Sequence, residues 1–112
     1  MEKIEAILRE ERLPVMLAAL GDLGYGGITI TPVRGHGRQR GVVQQWHGNE
    51  FKVDFLPKVK IELIVANPHT DQIVKTICEN ARTGNVGDSK IWVTPVSRIV
   101  RVRTDEEGEA AI

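Results

Sequence analysis

Twice within 112 residues the spacing of apolar side chains changes from every second residue to every third or fourth, and that repeated change dictates the fold. Lys3 to Arg9 reads KIEAILR, with Ile4, Ala6 and Leu8 on one face of a half-buried strand. Leu13, Met16, Leu17, Leu20 and Leu23 then recur at helical steps; Pro14 is admissible because it falls in the first turn, and the glycines at 24, 26 and 27 end the helix. The same order returns later in the chain. VKIELIVA, 59 to 66, sets Val59, Ile61, Leu63 and Val65 on one face and Lys60, Glu62 and Ile64 on the other. Ile73, Val74, Ile77, Cys78 and Ala81 then mark the buried stripe of a second helix from about 70 to 81.

GITITPV, 27 to 33, supplies a further strand rich in β-branched residues, and its Pro32 points to an edge or a strand end. IWVTPV, from 91, supplies the fourth. The order β-α-β-β-α-β is a duplicated βαβ unit whose simplest closure is a ferredoxin-like α+β sandwich, an antiparallel sheet with both helices on one face. The length allows one domain, 1–112, and no second core. Fifteen basic and fifteen acidic residues cancel, which removes any general drive toward polyanions and confines an anion site to a local cluster. Cys78 is the only cysteine, and no signal-like or membrane-spanning run is present, so a cytoplasmic protein without direct membrane insertion is expected.

About twenty residues, GHGRQRGVVQQWHGNEFKVDF, separate the second and third strands, far more than a hairpin turn needs. Glycines at 35, 37, 41 and 48 argue for a mobile loop over about 37–55, while Trp46 and Phe51 place apolar rings near its tip. One reading folds both rings back onto the domain; the sharper one makes the loop a partner-docking finger. A second loop, about 82–90 within ARTGNVGDSKIWV, joins the second helix to the last strand. Gly84 and Gly87 allow backbone N–H groups to converge on one point, and Lys90 adds a positive charge, a combination suited to phosphate. Asp88 has an alternative use, capping the turn through its own side chain. The spacing GNVGDSK precedes a strand and so fails the P-loop pattern, which precedes a helix. Arg38 and Arg40 between glycines, and Arg101 and Arg103 on one side of an extended segment, add cations. Charge-assisted hydrogen bonds contribute about 1.5–3 kcal/mol each, so three or four converging on a triphosphate support micromolar binding after association costs.

GHGRQRG, FLPKVKIEL, ARTGNVGDSKIWV and RVRTDEEGEAAI, in this order, resemble the PII nitrogen-regulatory signal-transduction proteins over essentially the whole chain. The resemblance implies a homotrimer with ATP or ADP in each cleft between neighbours. By matched position, Gly87, Asp88, Ser89 and Lys90 would embrace the phosphates together with Arg38. Arg101 and Arg103 of the C-terminal segment, about 97–112, would reach in from the adjacent subunit. Thr29, Gly35, Gly37 and Glu62 would lie in the same cleft. In this family 2-oxoglutarate binds beside ATP through Mg2+; Gln39 matches the residue that gives the metal a side-chain oxygen, a ligand type magnesium favours. Lys58 would pair with one carboxylate of the oxo-acid and Arg9 with the other. The resemblance further implies regulation of nitrogen-metabolism proteins, such as an ammonium channel or a regulatory enzyme, through Trp46, Asn49 and Phe51 of the long loop.

Several residues depart from the family pattern. Phe51 stands where many relatives carry the tyrosine that accepts a nucleotidyl group, and Asn49 where some carry a phosphorylated serine. Neither offers a hydroxyl, so no covalent modification is expected there. Ser89 replaces the usual glycine and Trp46 the usual tyrosine. An RNA-binding reading fails because KIEAILR and VKIELIVA carry no aromatic platform, and no nucleic acid partner is expected. An enzymatic alternative, a small ATP-hydrolysing enzyme or phosphotransferase, needs an activated base, and neither Asp88 nor Glu62 has an evident activating partner. His36, His47 and His69 lack metal-ligand spacing, so no catalytic residue is assigned.

Overall fold

The computed structural model describes residues 1–36 and 56–112 in full, and the backbone alone of 43–46 and 49–52. Its elements are β1 (Glu2–Arg9), α1 (Leu13–Asp22), β2 (Thr29–Gly35), β3 (Val43–Trp46), β4 (Asn49–Lys52), β5 (Leu56–Val65), α2 (Thr70–Ala81) and β6 (Ile91–Pro95). The main sheet runs β2-β5-β1-β6 with every pair antiparallel, which is the ferredoxin-like order 2-3-1-4 for its four strands.

The register explains the core. Ile4 lies opposite Leu63, Ala6 opposite Ile61 and Leu8 opposite Val59, so one face of β1 and β5 is continuously apolar. Met16 and Leu20 of α1 and Ile73 and Ile77 of α2 close over that face, all four fully buried, and so both helices pack on the same side. Val74, Cys78 and Ala81, expected in the buried stripe of α2, are only partly buried, whereas Thr70 is buried. The helices run antiparallel. Arg12 Nε donates to the Asn80 carbonyl at 2.8 Å at one end, and Tyr25 and His69 hydrogen-bond at the other. Thr70 Oγ1 donates to Glu2 Oε1 at 2.8 Å, tying the start of α2 to the start of β1.

The opposite face carries charge. Lys3 meets Glu5 at 2.8 Å and Glu62 at 3.8 Å, and Lys60 meets Glu5 at 3.8 Å. The Lys3 hydrogen bond holds the Glu5 carboxyl below its ordinary value against the opposing effect of desolvation.

Two expectations need correction. β2 begins at Thr29 and runs on to Gly35, beyond Pro32, because an edge strand has a neighbour on one side only and tolerates a residue without an N–H. β5 begins at Leu56, before Pro57, which pairs with Arg34 of β2 but lies past the last β1 pair, Arg9 opposite Lys58. The long segment between them also holds regular structure: β3 and β4 pair antiparallel, with Trp46 opposite Asn49 and Gln44 opposite Phe51. The four residues VQQW and the four of NEFK bracket His47 and Gly48, a two-residue hairpin spacing obscured by the surrounding glycines. The side chains of Trp46, Asn49 and Phe51 lie outside the described residues, as do Gly37, Arg38, Gln39 and Arg40.

Candidate functional site

At the end of the sheet where β1 finishes and β5 starts, Arg9 and Lys58 face each other across the ladder. Like charges directly opposite on adjacent strands repel, so this pair needs compensation. The loop 82–90 supplies it. Arg9 Nε donates to Asp88 Oδ1 at 3.2 Å and Arg9 Nη2 to the Val86 carbonyl at 3.0 Å, while Lys58 Nζ donates to the Gly87 carbonyl. Gly84 and Gly87 have φ of 85° and 110°, in the left-handed region that a side chain would strain, and these two turns fold the loop back over the strand ends.

Backbone N–H groups in the loop do converge on an anion, and that anion is the loop's own carboxylate. The N–H groups of Thr83 and Gly84 both donate to Asp88 Oδ2 at 2.9 Å, and Thr83 Oγ1 donates to Asp88 Oδ1 at 2.6 Å. Asp88 therefore caps the turn, the alternative left open by its sequence. Partial burial acts to raise its pKa, but the Thr83 hydroxyl, the two backbone N–H groups and the Arg9 guanidinium outweigh it and hold the carboxyl well below the usual range. A carboxylate so stabilised is a poor proton acceptor. Thr83 was not legible as a site residue, since nothing in its own neighbourhood distinguishes it until the loop folds Asp88 back onto it.

Lys58 is buried, at 7% exposure, although it is a lysine. Burial lowers its pKa first and the Arg9 charge adds to this, while Asp88 and Glu11 pull the other way. Its stem lies against Gly35: a Cβ at that position would sit 3.3 Å from Lys58 Cγ. The side chains of Ser89 and Lys90 are exposed and form no hydrogen bond or ion pair among the described residues. The Lys90 carbonyl, in contrast, accepts from the Ile7 N–H at 3.2 Å, which docks the loop's end to β1 where β6 no longer pairs. Leu8, Ile77, Cys78 and Ile91, together with Arg9, Asp88 and Lys90, line a cavity of about 330 Å³.

The remaining expected residues fall elsewhere in the single chain. Thr29 and Glu62, opposite each other in the β2–β5 ladder, line a separate cleft of about 550 Å³ bounded by Tyr25, Ile64, Ile99 and Ile112. Arg101 and Arg103 do not lie on one side of an extended segment, contrary to the expectation from their spacing. Residues 102–104 form a turn, in which the Asp105 N–H donates to the Arg101 carbonyl at 2.9 Å and Asp105 itself has φ of 58°. TDEEG is turn-forming because Thr104 Oγ1 bonds Glu106 at 2.7 Å and aspartate tolerates the left-handed region. Arg101 binds Glu106 at 3.2 Å and the Ile112 carbonyl at 3.2 Å. No hydrogen bond or ion pair among the described residues joins either arginine to the 82–90 loop. No group of three or more His, Cys, Asp or Glu among the described residues is placed to hold a metal ion, and no described helix is long and apolar enough to cross a membrane.

An antiparallel sheet in the order β2-β5-β1-β6 with both helices on one face and a long segment inserted between β2 and β5 defines a ferredoxin-like α+β domain, and comparison with known proteins names its family. The family model for nitrogen regulatory protein P-II matches residues 1–106. Similar proteins include the nitrogen regulatory proteins P-II of Pasteurella multocida and Haemophilus influenzae, each 48% identical over 112 residues and covering the whole of both chains. The nitrogen regulatory protein P-II 1 of Escherichia coli K12 is 47% identical over the same span. The chain belongs to the nitrogen regulatory protein P-II family. Its relatives are named as regulators, not as enzymes.

Proposed function

We propose that the protein is a signal-transduction regulator of nitrogen metabolism that reads ATP against ADP, together with 2-oxoglutarate, and reports through residues 37–55. The observation that carries this reading is where the long segment leaves the sheet. Gly35 and Leu56 are the last pair of the β2–β5 ladder, so the long segment leaves the sheet two residues from Lys58, beside Arg9 and the 82–90 loop. Arg9, Lys58 and Lys90 gather at this end of the sheet beside Asp88, with Arg82 on the same cavity and Glu11 acting on Lys58, which leaves a local excess of positive charge in a chain of zero net charge. Such a spot attracts a polyphosphate and an acidic effector, and a ligand held there lies against the root of the long segment.

In the proposed complex Gly87, Ser89 and Lys90 meet the phosphates with Gly37 and Arg38, Gly35 shapes the floor, and Thr29 and Glu62 lie on the nucleoside side. Asp88 contributes by shaping the loop. The separation of Arg101 and Arg103 from the loop within one chain fits a homotrimer in which a neighbour supplies them. Gln39, the phosphates and the oxo-acid would hold Mg2+, whose charge draws those oxygens together. Lys58 and Arg9 would face the carboxylates of 2-oxoglutarate. Trp46, Asn49 and Phe51 would meet the target, an ammonium channel or regulatory enzyme, without covalent modification at Asn49 or Phe51.

Linkage supplies the test. If 2-oxoglutarate and ATP share one two-state loop, each tightens the other's binding by the same factor. Titration calorimetry with Mg2+ is expected to show ATP affinity rising in saturating 2-oxoglutarate; unchanged affinity would sink the coupling. Sedimentation of the purified protein at a mass other than three chains would remove the neighbour's arginines from the scheme.

A further inference from the structure

Thr83 makes three hydrogen bonds around one carboxylate and one turn. Its N–H and its hydroxyl both donate to Asp88, at 2.9 Å and 2.6 Å, and the same hydroxyl accepts from the Asn85 N–H at 3.2 Å. On the far side Arg9 grips Asp88 and the Val86 carbonyl. Asp88 is thus clamped between a threonine at the loop's entry and an arginine at the end of β1, and everything from 84 to 87 is closed between them. We propose that Thr83 is a positioning residue for the phosphate site, acting with Arg9 through Asp88 to hold the backbone of 85–90 in its ligand-accepting shape without touching the ligand. This rests on the reading that the loop receives nucleotide phosphates.

The geometry separates this role from two others. A residue that merely stabilised the domain would be tied into the core, yet Thr83 is exposed and its hydrogen bonds all stay within five residues of it. A residue that touched phosphate would have a donor free to turn outward, whereas the Thr83 hydroxyl proton and N–H are both committed to Asp88. Thr83 and Arg9 share the same acceptor atom, Asp88 Oδ1, so the loss of either releases the same side chain. Their effects on ligand affinity therefore overlap and do not add.

The experiment compares wild type, Thr83→Val, Thr83→Ser, Arg9→Gln and the Arg9→Gln/Thr83→Val double variant, by calorimetric titration with MgATP and by amide hydrogen exchange without ligand. Valine keeps the shape and removes the hydroxyl; serine keeps the hydroxyl. The expected result is an ATP affinity about tenfold weaker in Thr83→Val, within about twofold of wild type in Thr83→Ser, and no weaker in the double variant than in the worse single one. Exchange at Gly84 and Asn85 should quicken in the valine variant alone of the two threonine replacements. Equal ATP affinity in wild type and Thr83→Val overturns the proposal while leaving nucleotide binding intact, as do losses that multiply in the double variant. A wild-type protein that does not bind ATP removes the reading beneath it as well.

Discussion

Gly35→Ala places two ordinary effects in opposition at the root of the long segment. Gly35 ends β2 outside the left-handed region, so alanine fits its backbone, and restricting the unfolded chain should add about 0.4–1 kcal/mol of stability. Against this, the new Cβ would stand 3.3 Å from Lys58 Cγ, 3.4 Å from Cε and 3.7 Å from Cδ. The nearest of these is tighter than ordinary van der Waals contact, and the neighbour is the stem of a flexible side chain, so Lys58 gives way before the strand does. Its amine then leaves the Gly87 carbonyl. That charge-assisted hydrogen bond contributes about 1.5–3 kcal/mol, and the lower figure applies here because the ammonium regains hydration as it moves out. The two terms partly cancel, and global stability in urea should fall by no more than about 1 kcal/mol.

The amine itself should report the change. Burial is the main reason the Lys58 pKa lies below its ordinary value, so an outward swing must return it upward, toward 10.5. The sign for stability follows. While the folded pKa is depressed, the unfolded chain binds the extra proton between that value and 10.5, so wild-type stability rises with pH through this interval, and the rise should shrink in Gly35→Ala. NMR titration of the Lys58 amine reads the first effect and denaturation at several alkaline pH values the second. An unmoved amine titration together with a stability loss above about 2 kcal/mol would show that the β2–β5 ladder had yielded instead, and the reasoning would be wrong.

Asp88→Asn should remove the acid sensitivity of the 82–90 loop. A carboxyl held far below 3.8 stabilises the fold above that value and loses the contribution as pH falls through and below it, so the wild-type minus variant difference, read by amide exchange at Thr83 and Gly84, should shrink from pH 5 downward; a constant difference would contradict it. Ile61→Ala, at a position with 0% exposure between α1, α2 and the sheet, should cost about 2–5 kcal/mol in urea denaturation with little change in slope; a cost below 1 kcal/mol would mean the core had collapsed around the cavity. Glu106→Gln, by contrast, removes the charge from a part-exposed pair with Arg101 while leaving an amide oxygen that can still accept from Thr104, and should move stability in urea denaturation by less than about 1 kcal/mol.

What could be read from the sequence, and what could not, divides by the range of the interactions involved. α2 is found over 70–81 as its apolar spacing foretells, and Val59, Ile61, Leu63 and Val65 are all buried, because a period of two or of 3.6 is written into neighbouring residues. Strand ends were misjudged where tertiary neighbours decide them: Pro57 sits inside β5 only because β1 has already stopped, a fact about pairing that no local window contains. The β3–β4 hairpin was hidden because polar VQQW and NEFK have weak alternation, and pairing alone makes them strands.

The site shows the same division more sharply. Glycines at 84 and 87 announced a bent loop, and both have positive φ. Their purpose is different from the simplest one: the bend turns two N–H groups toward Asp88, so the loop carries its own anion in the pocket that a phosphate-binding nest would offer. That internal anion answers a problem set by the sheet, since Arg9 and Lys58 are opposed in register and would repel without it. Arg9 and Lys58 then have two ways to be satisfied, by the loop's carboxylate and carbonyls or, in the proposed complex, by a ligand's acidic oxygens. A ligand that competed for Arg9 would loosen Asp88, and Asp88 would loosen Thr83 and Gly84 in turn. On the proposed reading, coupling between an acidic effector and the shape of the 82–90 loop would need no distant pathway, because the Arg9–Asp88 ion pair would belong to both.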